Sequence, residues 1–261
     1  MRRAFEYAAT VFSLNAAGSE ETWGWDGKTL SGPASGHLWL RVAETKAEKA
    51  ASASWKGPEE AHEAMPDRVP RPRFRGAFEW STDAYAYRAE VHNRADGQPL
   101  SRSPLAPPGL DLSAVWWAQL CDALDTISLV STSRVAVRQE RLRWALPRFL
   151  GTDVDTEVLE WSAAHADIQW SNLTGPELCI LDWERWGLAP AGYDEATLYI
   201  SSLAVPSVAD RVLREFKPIL RSASGCFAQL VVASEYLQGI ERGNNLDLEA
   251  PLRKHLTHLL G

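Results

Sequence analysis

The sequence predicts an α+β protein of two lobes: a small β-rich lobe over residues 1–92, a linker over 93–108 and a larger, mainly helical lobe over 109–261. Three observations carry that division. The chain exceeds the roughly 100 to 150 residues that one hydrophobic core usually organises, so two subdomains meeting at a cleft, the favoured place for a ligand, are expected. Turn-breaking residues concentrate in Asp96-Gly97-Gln98-Pro99 and between Pro104 and Pro108. From Asp111 onward the apolar period changes from alternation to a spacing of three to four.

In the first lobe, Trp23-Gly24-Trp25-Asp26-Gly27 has the composition of a hairpin turn and His37 to Val42 reads as a buried strand. Gly32, Pro33 and Gly36 interrupt the chain between them. The charged run from Glu44 to Met65 has helical composition and is stopped by Pro66, then by Pro70 and Pro72. Phe78 to Val91 is aromatic-rich and long enough for two further strands. In the second lobe, Val115, Leu120, Leu124, Ile127 and Leu129 mark one helix, and Arg134 to Leu150 continues likewise. Helices also fit 194–204, 207–219, 222–242 and 246–260.

Composition narrows the function. With 45% apolar and 23% charged residues the chain is neither collagen-like nor disordered. A net charge of −7 argues against a nucleic-acid backbone as partner and favours a neutral or cationic one. No stretch approaches the ~20 apolar residues of a membrane span. Cys121, Cys179 and Cys226 are odd in number and form no C-x-x-C pair, which suggests neither a disulfide framework nor a zinc site. The start, Met1-Arg2-Arg3 followed by Tyr7 to Leu14, imitates a signal peptide, but the apolar run is short and Glu6 precedes it, so a cytoplasmic protein is expected.

One segment concentrates chemistry: His165-Ala166-Asp167-Ile168-Gln169-Trp170-Ser171-Asn172, followed by Ile180-Leu181-Asp182-Trp183-Glu184. Gly175-Pro176-Glu177 is a turn signal, so a hairpin should return Asp182 to the neighbourhood of Asn172. An amide oxygen and a carboxylate are hard ligands suited to Mg²⁺, which completes its octahedron with water and nucleotide phosphates. Asp167 would face the same point, where a carboxylate can take the proton of a hydroxyl attacking a γ-phosphoryl group. Residues 151–200 hold ten acids against a single base, Arg185, a balance that would steer a cationic acceptor toward this region.

The pattern His165-x-Asp167-x4-Asn172, with Ile180-Leu181-Asp182-Trp183-Glu184 after it, resembles the catalytic and metal-binding loops of the aminoglycoside phosphotransferases, in the wider protein-kinase-like superfamily. Gly187-Leu188-Ala189-Pro190-Ala191-Gly192-Tyr193-Asp194 resembles the family's segment ending in Tyr-Asp before a helix, and residues 20 to 205 follow the family's order. The resemblance implies a two-lobed protein-kinase-like fold. It implies transfer of the γ-phosphoryl group of ATP or GTP to a hydroxyl of an aminoglycoside-like or other hydroxylated small molecule. Asp167 would be the catalytic base and His165 the brace of its loop, with Asn172 and Asp182 as magnesium ligands. Arg41 stands where the family's phosphate-pairing lysine is expected, and its partner acid would be Glu59 or Glu60, with Glu48 less well placed. Main-chain groups from Glu90 through Val91 to His92 would meet the adenine. Asp194, with Glu195, reads as a helix N-terminus.

Two departures stand out. Ala166 occupies a position where relatives commonly have glycine, and the stretch Ala17 to Gly24, which should cover the phosphates, has only two glycines and two acids. Kinases of choline, homoserine or sugars share the core motif, and a non-catalytic nucleotide-binding module is the reading from outside the enzymes.

Overall fold

The computed structural model describes residues 1–16, 21–24, 27–49, 53–151 and 154–261. They divide into two compact units, one of Met1–Ala64 with Arg71–Asp96 and one of Met65–Pro70 with Gly97–Gly261. The segment 65–70, which the linear reading left in the first lobe, packs with the second unit. There the Pro70 carbonyl accepts the Ile180 N–H at 2.8 Å and Arg68 Nε donates to Thr126 Oγ1 at 2.7 Å.

The first unit begins with helix α1 (Arg2–Val11), an element that the expectation of a β-rich lobe did not name. Phe5, Ala8 and Ala9 recur at helical spacing, and they form one core with Leu30, Leu40, Val42, Ala89 and Val91. The strands are β1 (Thr22–Trp23), β2 (Thr29–Ala34) and β3 (Leu38–Lys46). After them come the short helix α2 (Gly57–Ala64) and the strands β4 (Phe74–Ser81) and β5 (Tyr85–Asn93). All pairings are antiparallel in the order β1-β2-β3-β5-β4.

The turn between β2 and β3 uses two left-handed residues, Gly36 (φ 75) and His37 (φ 59), as tight hairpins require. Beside Pro33 in β2, β1 pairs with Leu30 and Ser31 and Ala16 bridges Ala34. The helix expected over 44–65 is confined to α2. Glu44, Thr45 and Lys46 instead continue the ladder of β3 onto Tyr87, Ala86 and Tyr85, so cross-strand pairing overrides local helical composition there. Of the stretch expected to cover phosphates, residues 17–20 lie outside the described residues, as do Trp25 and Asp26 of the expected hairpin turn.

The second unit continues with β6 (Gln98–Pro99), α3 (Ala114–Ser128) and α4 (Gln139–Leu150). The short strands β7 (Trp161–Ala164), β8 (Thr174–Gly175) and β9 (Gly187–Pro190) follow. Helices α5 (Tyr193–Ile200), α6 (Pro206–Glu215), α7 (Lys217–Leu220), α8 (Ala223–Glu241) and α9 (Glu249–Leu260) complete it. Helix α8 is apolar over most of its circumference, as a central helix packed by α4, α5, α7 and α9 must be. Trp116 and Trp170 stack at 6.5 Å in the core, their indole N–H groups satisfied by the Thr174 carbonyl and by Ser202 Oγ. No helix among the described residues is long and apolar enough to cross a membrane.

The second unit shapes the chemical segment directly. β7 pairs β9 with Ala164 opposite Gly187, so residues 165–186 form one loop closed at its base by a two-stranded ladder.

Candidate active site

Immediately beyond β7, the loop is held from beneath. The buried Asp194 carboxylate on α5 accepts the N–H of His165 at 2.7 Å and that of Ala166 at 2.8 Å. Ala166 has a left-handed backbone (φ 62), the conformation for which glycine is the natural residue and which costs an alanine about 1–2 kcal/mol. This turn delivers Asp167. Its carbonyl accepts the Gln169 N–H at 2.9 Å, starting the 3₁₀ turn Trp170–Asn172. The turn brings the Asn172 side chain back, so that Nδ2 donates to the Asp167 carbonyl at 3.0 Å and to its Oδ2 at 2.9 Å.

The expected return of the chain is present as a narrow hairpin. Leu173 bridges Ile180, the Thr174 N–H reaches the Cys179 carbonyl and the Leu181 N–H donates to the Asn172 carbonyl at 2.8 Å. Asp182 follows directly, exposed and left-handed (φ 62), and Trp183 Nε1 fixes the turn on the Ile180 carbonyl at 2.8 Å. The structure thus brings Asp167, Asn172 and Asp182 to one end of a closed loop. His165 is buried edge-on against Trp183, with ring centroids 4.7 Å apart. Burial pulls its imidazole down to about 3, so it packs as a neutral ring.

Asp167 is electrostatically distinct. Burial pushes its carboxyl up to about 6, opposed by the Arg185 guanidinium and by the Asn172 hydrogen bond and reinforced by the Asp182 charge. Arg185 Nη1 stands 3.9 Å from Asp167 Oδ1. Tyr193, a hydrogen-bond partner of Arg185, donates its hydroxyl to Glu235 Oε2 on α8 at 2.6 Å.

No group of three or more His, Cys, Asp or Glu side chains suited to a metal ion occurs among the described residues. Magnesium completed by phosphates and water needs fewer protein ligands. With Nδ2 committed to Asp167, Asn172 has its amide oxygen as the remaining acceptor, beside an exposed carboxylate at Asp182. That hard-oxygen donor pair fits Mg²⁺.

The residues predicted for the nucleotide lie in the first unit. Arg41 on β3 is in register with Glu90 on β5, and Nη1 is 3.5 Å from Glu90 Oε2. Glu90 is 1% exposed and also meets Arg88 Nε at 2.7 Å and His92 Nε2 at 3.5 Å. Burial opposes its charge, but His92, Arg41 and Arg88 together hold its carboxyl down to about 2. Arg88 in turn reaches Glu59 on α2 at 2.8 Å and Glu79 on β4. Glu59 is therefore the partner of Arg88, while Glu60 is its neighbour on the same helix.

The adenine contact expected from the main chain of Glu90 and Val91 requires correction. Both residues lie inside β5, paired with Arg41 and Leu40 on one side and with Ala77 and Gly76 on the other. Their N–H and C=O groups belong to the ladders, and the strand ends only at Asn93.

Arg88, Tyr193 and Glu235 were not found from sequence. Arg88-Ala89-Glu90 carries a signal, since strand alternation puts both charges on one face. Tyr193 falls in the segment Gly187 to Asp194, but its pairing with Glu235, 42 residues away on a different helix, leaves none.

No known family pattern matches the chain, and no curated protein matches it. Solved structures do. A thermostable mutant of aminoglycoside phosphotransferase APH(4)-Ia in ternary complex with AMP-PNP and hygromycin B aligns with a TM-score of 0.66 at 12% identity, covering 99% of this chain and 98% of that one. The GDP and kanamycin complex of APH(2'')-IIia aligns at 0.61 and 13%, covering 99% and 98%. Amicoumacin kinase hAmiN, in complex with AMP-PNP, Ca²⁺ and Ami, aligns at 0.56 and 10%, covering 99% and 94%. The chain thus has a protein-kinase-like fold. Within that class, its fold is that of the aminoglycoside phosphotransferases, over nearly the whole length of both chains.

Proposed function

We propose that the protein is a small-molecule O-phosphotransferase that moves the γ-phosphoryl group of ATP or GTP to a hydroxyl of an aminoglycoside-like or other hydroxylated acceptor. The observation that carries this reading is the junction of Asp167, oriented by Asn172 Nδ2 at 2.9 Å, with Asp182, returned beside Asn172 by the Leu181 N–H at 2.8 Å. The neighbours in fold, crystallised with nucleotides and antibiotics, support the choice of substrates.

In the reaction, the acceptor hydroxyl oxygen forms a bond to the γ-phosphorus while the bond from that phosphorus to the β–γ bridging oxygen breaks, leaving the nucleoside diphosphate. The hydroxyl proton passes to the Asp167 carboxylate. Asn172 holds that carboxylate toward the hydroxyl, and Asp194 fixes the loop so that it does not reorient. Asn172 and Asp182 would hold magnesium, which supplies positive charge to the phosphate oxygens. Arg41 would pair nucleotide phosphates, anchored by Glu90 and, with Glu59 taken by Arg88, by Glu60 as the acid on α2. The acids of the second unit favour a cationic acceptor.

The test is ³²P transfer from γ-labelled ATP and GTP, with Mg²⁺, to a panel of aminoglycosides, other hydroxylated antibiotics and small hydroxylated metabolites. Labelling of an acceptor by the wild type, and its loss by about 10³-fold or more in Asp167→Ala with nucleotide binding retained, is the expected result. Undiminished turnover in Asp167→Ala would remove the base from the scheme.

A further inference from the structure

Among residues 151–200 there is a single basic residue, and the fold brings that one residue to the side of Asp167. The loop His165 to Asn172 contains no lysine or arginine of its own. A phosphoryl group in flight spreads negative charge over three oxygens, and a cation placed there in advance lowers the barrier without reorganising solvent.

We infer that Arg185 is a catalytic residue, the cation that contacts the transferring phosphoryl group beside Asp167, and that Tyr193 and Glu235 are the positioning residues that aim it. The inference rests on the phosphotransferase reading above and names a component of the same site. Its geometric basis is twofold. Arg185 Nη1 stands 3.9 Å from Asp167 Oδ1, beyond a tight ion pair, and the Arg185 side chain is 48% exposed while that of Asp167 is 22% exposed. A guanidinium so placed presents donors to a ligand at the carboxylate instead of being consumed by it. Tyr193 is a hydrogen-bond partner of Arg185, and its hydroxyl is itself fixed on Glu235 Oε2 at 2.6 Å, a carboxylate whose charge favours the guanidinium. Tyr193 opens α5 next to Asp194, so the helix that holds the loop also holds the cation.

In the transfer step Arg185 remains protonated throughout. Bonds form and break at phosphorus as above, the proton goes to Asp167, and the guanidinium donates to a non-bridging oxygen whose charge grows in the transition state. Arg185→Lys is not conservative here, because one point charge cannot reproduce two divergent donors.

The experiment uses the full chain with Mg²⁺, labelled nucleotide and an acceptor the wild type labels. Arg185→Ala and Arg185→Gln are expected to lower kcat by about 10²–10³-fold with the nucleotide KM changed by less than about threefold. Added guanidinium should restore part of the rate to Arg185→Ala and none to Asp167→Ala. Glu235→Gln and Tyr193→Phe should lower kcat by roughly tenfold and weaken in Arg185→Ala, as expected of residues acting through the arginine. Thermal denaturation of each variant separates these effects from unfolding. If the wild type transfers phosphate and Arg185→Gln keeps kcat within about twofold, or guanidinium restores nothing, the assignment of Arg185 is overturned and the phosphotransferase reading stands. If the wild type transfers phosphate to no acceptor, both fall.

Discussion

Asp194 and His165 are 29 residues apart in sequence, yet the carboxylate of one accepts the N–H of the other at 2.7 Å, and that of Ala166 at 2.8 Å. A buried side chain at the start of α5 thereby fixes the backbone from which Asp167 projects. Burial, reinforced by the nearby Glu195 charge, pushes the Asp194 carboxyl up to about 7, with the two N–H donors opposing. Such a group is tolerated only because its acceptors are used.

Replacing Asp194 with alanine leaves two buried N–H groups without partners and is expected to cost about 2–5 kcal/mol. Asp194→Asn keeps one acceptor oxygen and turns an amide NH₂ toward the other N–H, so it should lose one of the two hydrogen bonds and fold with a smaller loss than alanine. Urea denaturation of both variants measures the difference. Equal losses would mean that one remaining acceptor is worth nothing and that the loop is held only when both oxygens accept.

A different carboxylate governs the acid stability of the first unit. Glu90 has a folded value of about 2 against an ordinary 4.5. A depressed folded value means that the contribution is fully present above the unfolded value and is lost as pH falls from about 4.5 toward 2. Its size is on the order of 3 kcal/mol. Denaturation midpoints of the wild type should therefore fall across that window, and those of Glu90→Gln, already lowered at neutral pH, should fall less steeply. An unchanged slope in Glu90→Gln would assign the acid sensitivity to other groups.

Gly187 closes the base of the loop. Its φ is +156, and a Cβ there would lie 2.9 Å from the Arg134 carbonyl and 3.0 Å from the Ala136 nitrogen. Backbone atoms give way poorly, so Gly187→Ala is expected to cost about 1–3 kcal/mol in overpacking, with backbone strain in addition. A melting temperature equal to that of wild type would show that the 134–136 segment yields freely.

Much of the second unit was legible locally. Helical period located α3, α4, α6, α8 and α9 because each buries one stripe or, for α8, nearly its whole surface. The first unit was less legible. α1 is short and three of its ten residues, Phe5, Ala8 and Ala9, are buried, and the charged end of β3 looks helical until its partner strand is known. The loop over 165–186 and its hairpin could be read because Gly, Pro, Asn and Asp define turns over a few residues. Glu90 and Val91 were misjudged for the opposite reason. Whether a strand's main chain is available to a ligand depends on what lies on both of its edges, and that is a property of the sheet.

The sequence by itself determined the two-part α+β organisation, the order Asp167, Asn172, Asp182 and the acidic character of the surrounding residues, all consequences of local turn chemistry, periodicity and composition. Only the tertiary structure decided that Glu59 serves Arg88, that Asp194 anchors the loop, that Arg185 comes within 3.9 Å of Asp167 and that Tyr193 meets Glu235. Those relationships join side chains from separate elements. Their distances are set by how helices and strands pack around a shared core, and no window along the chain contains that information.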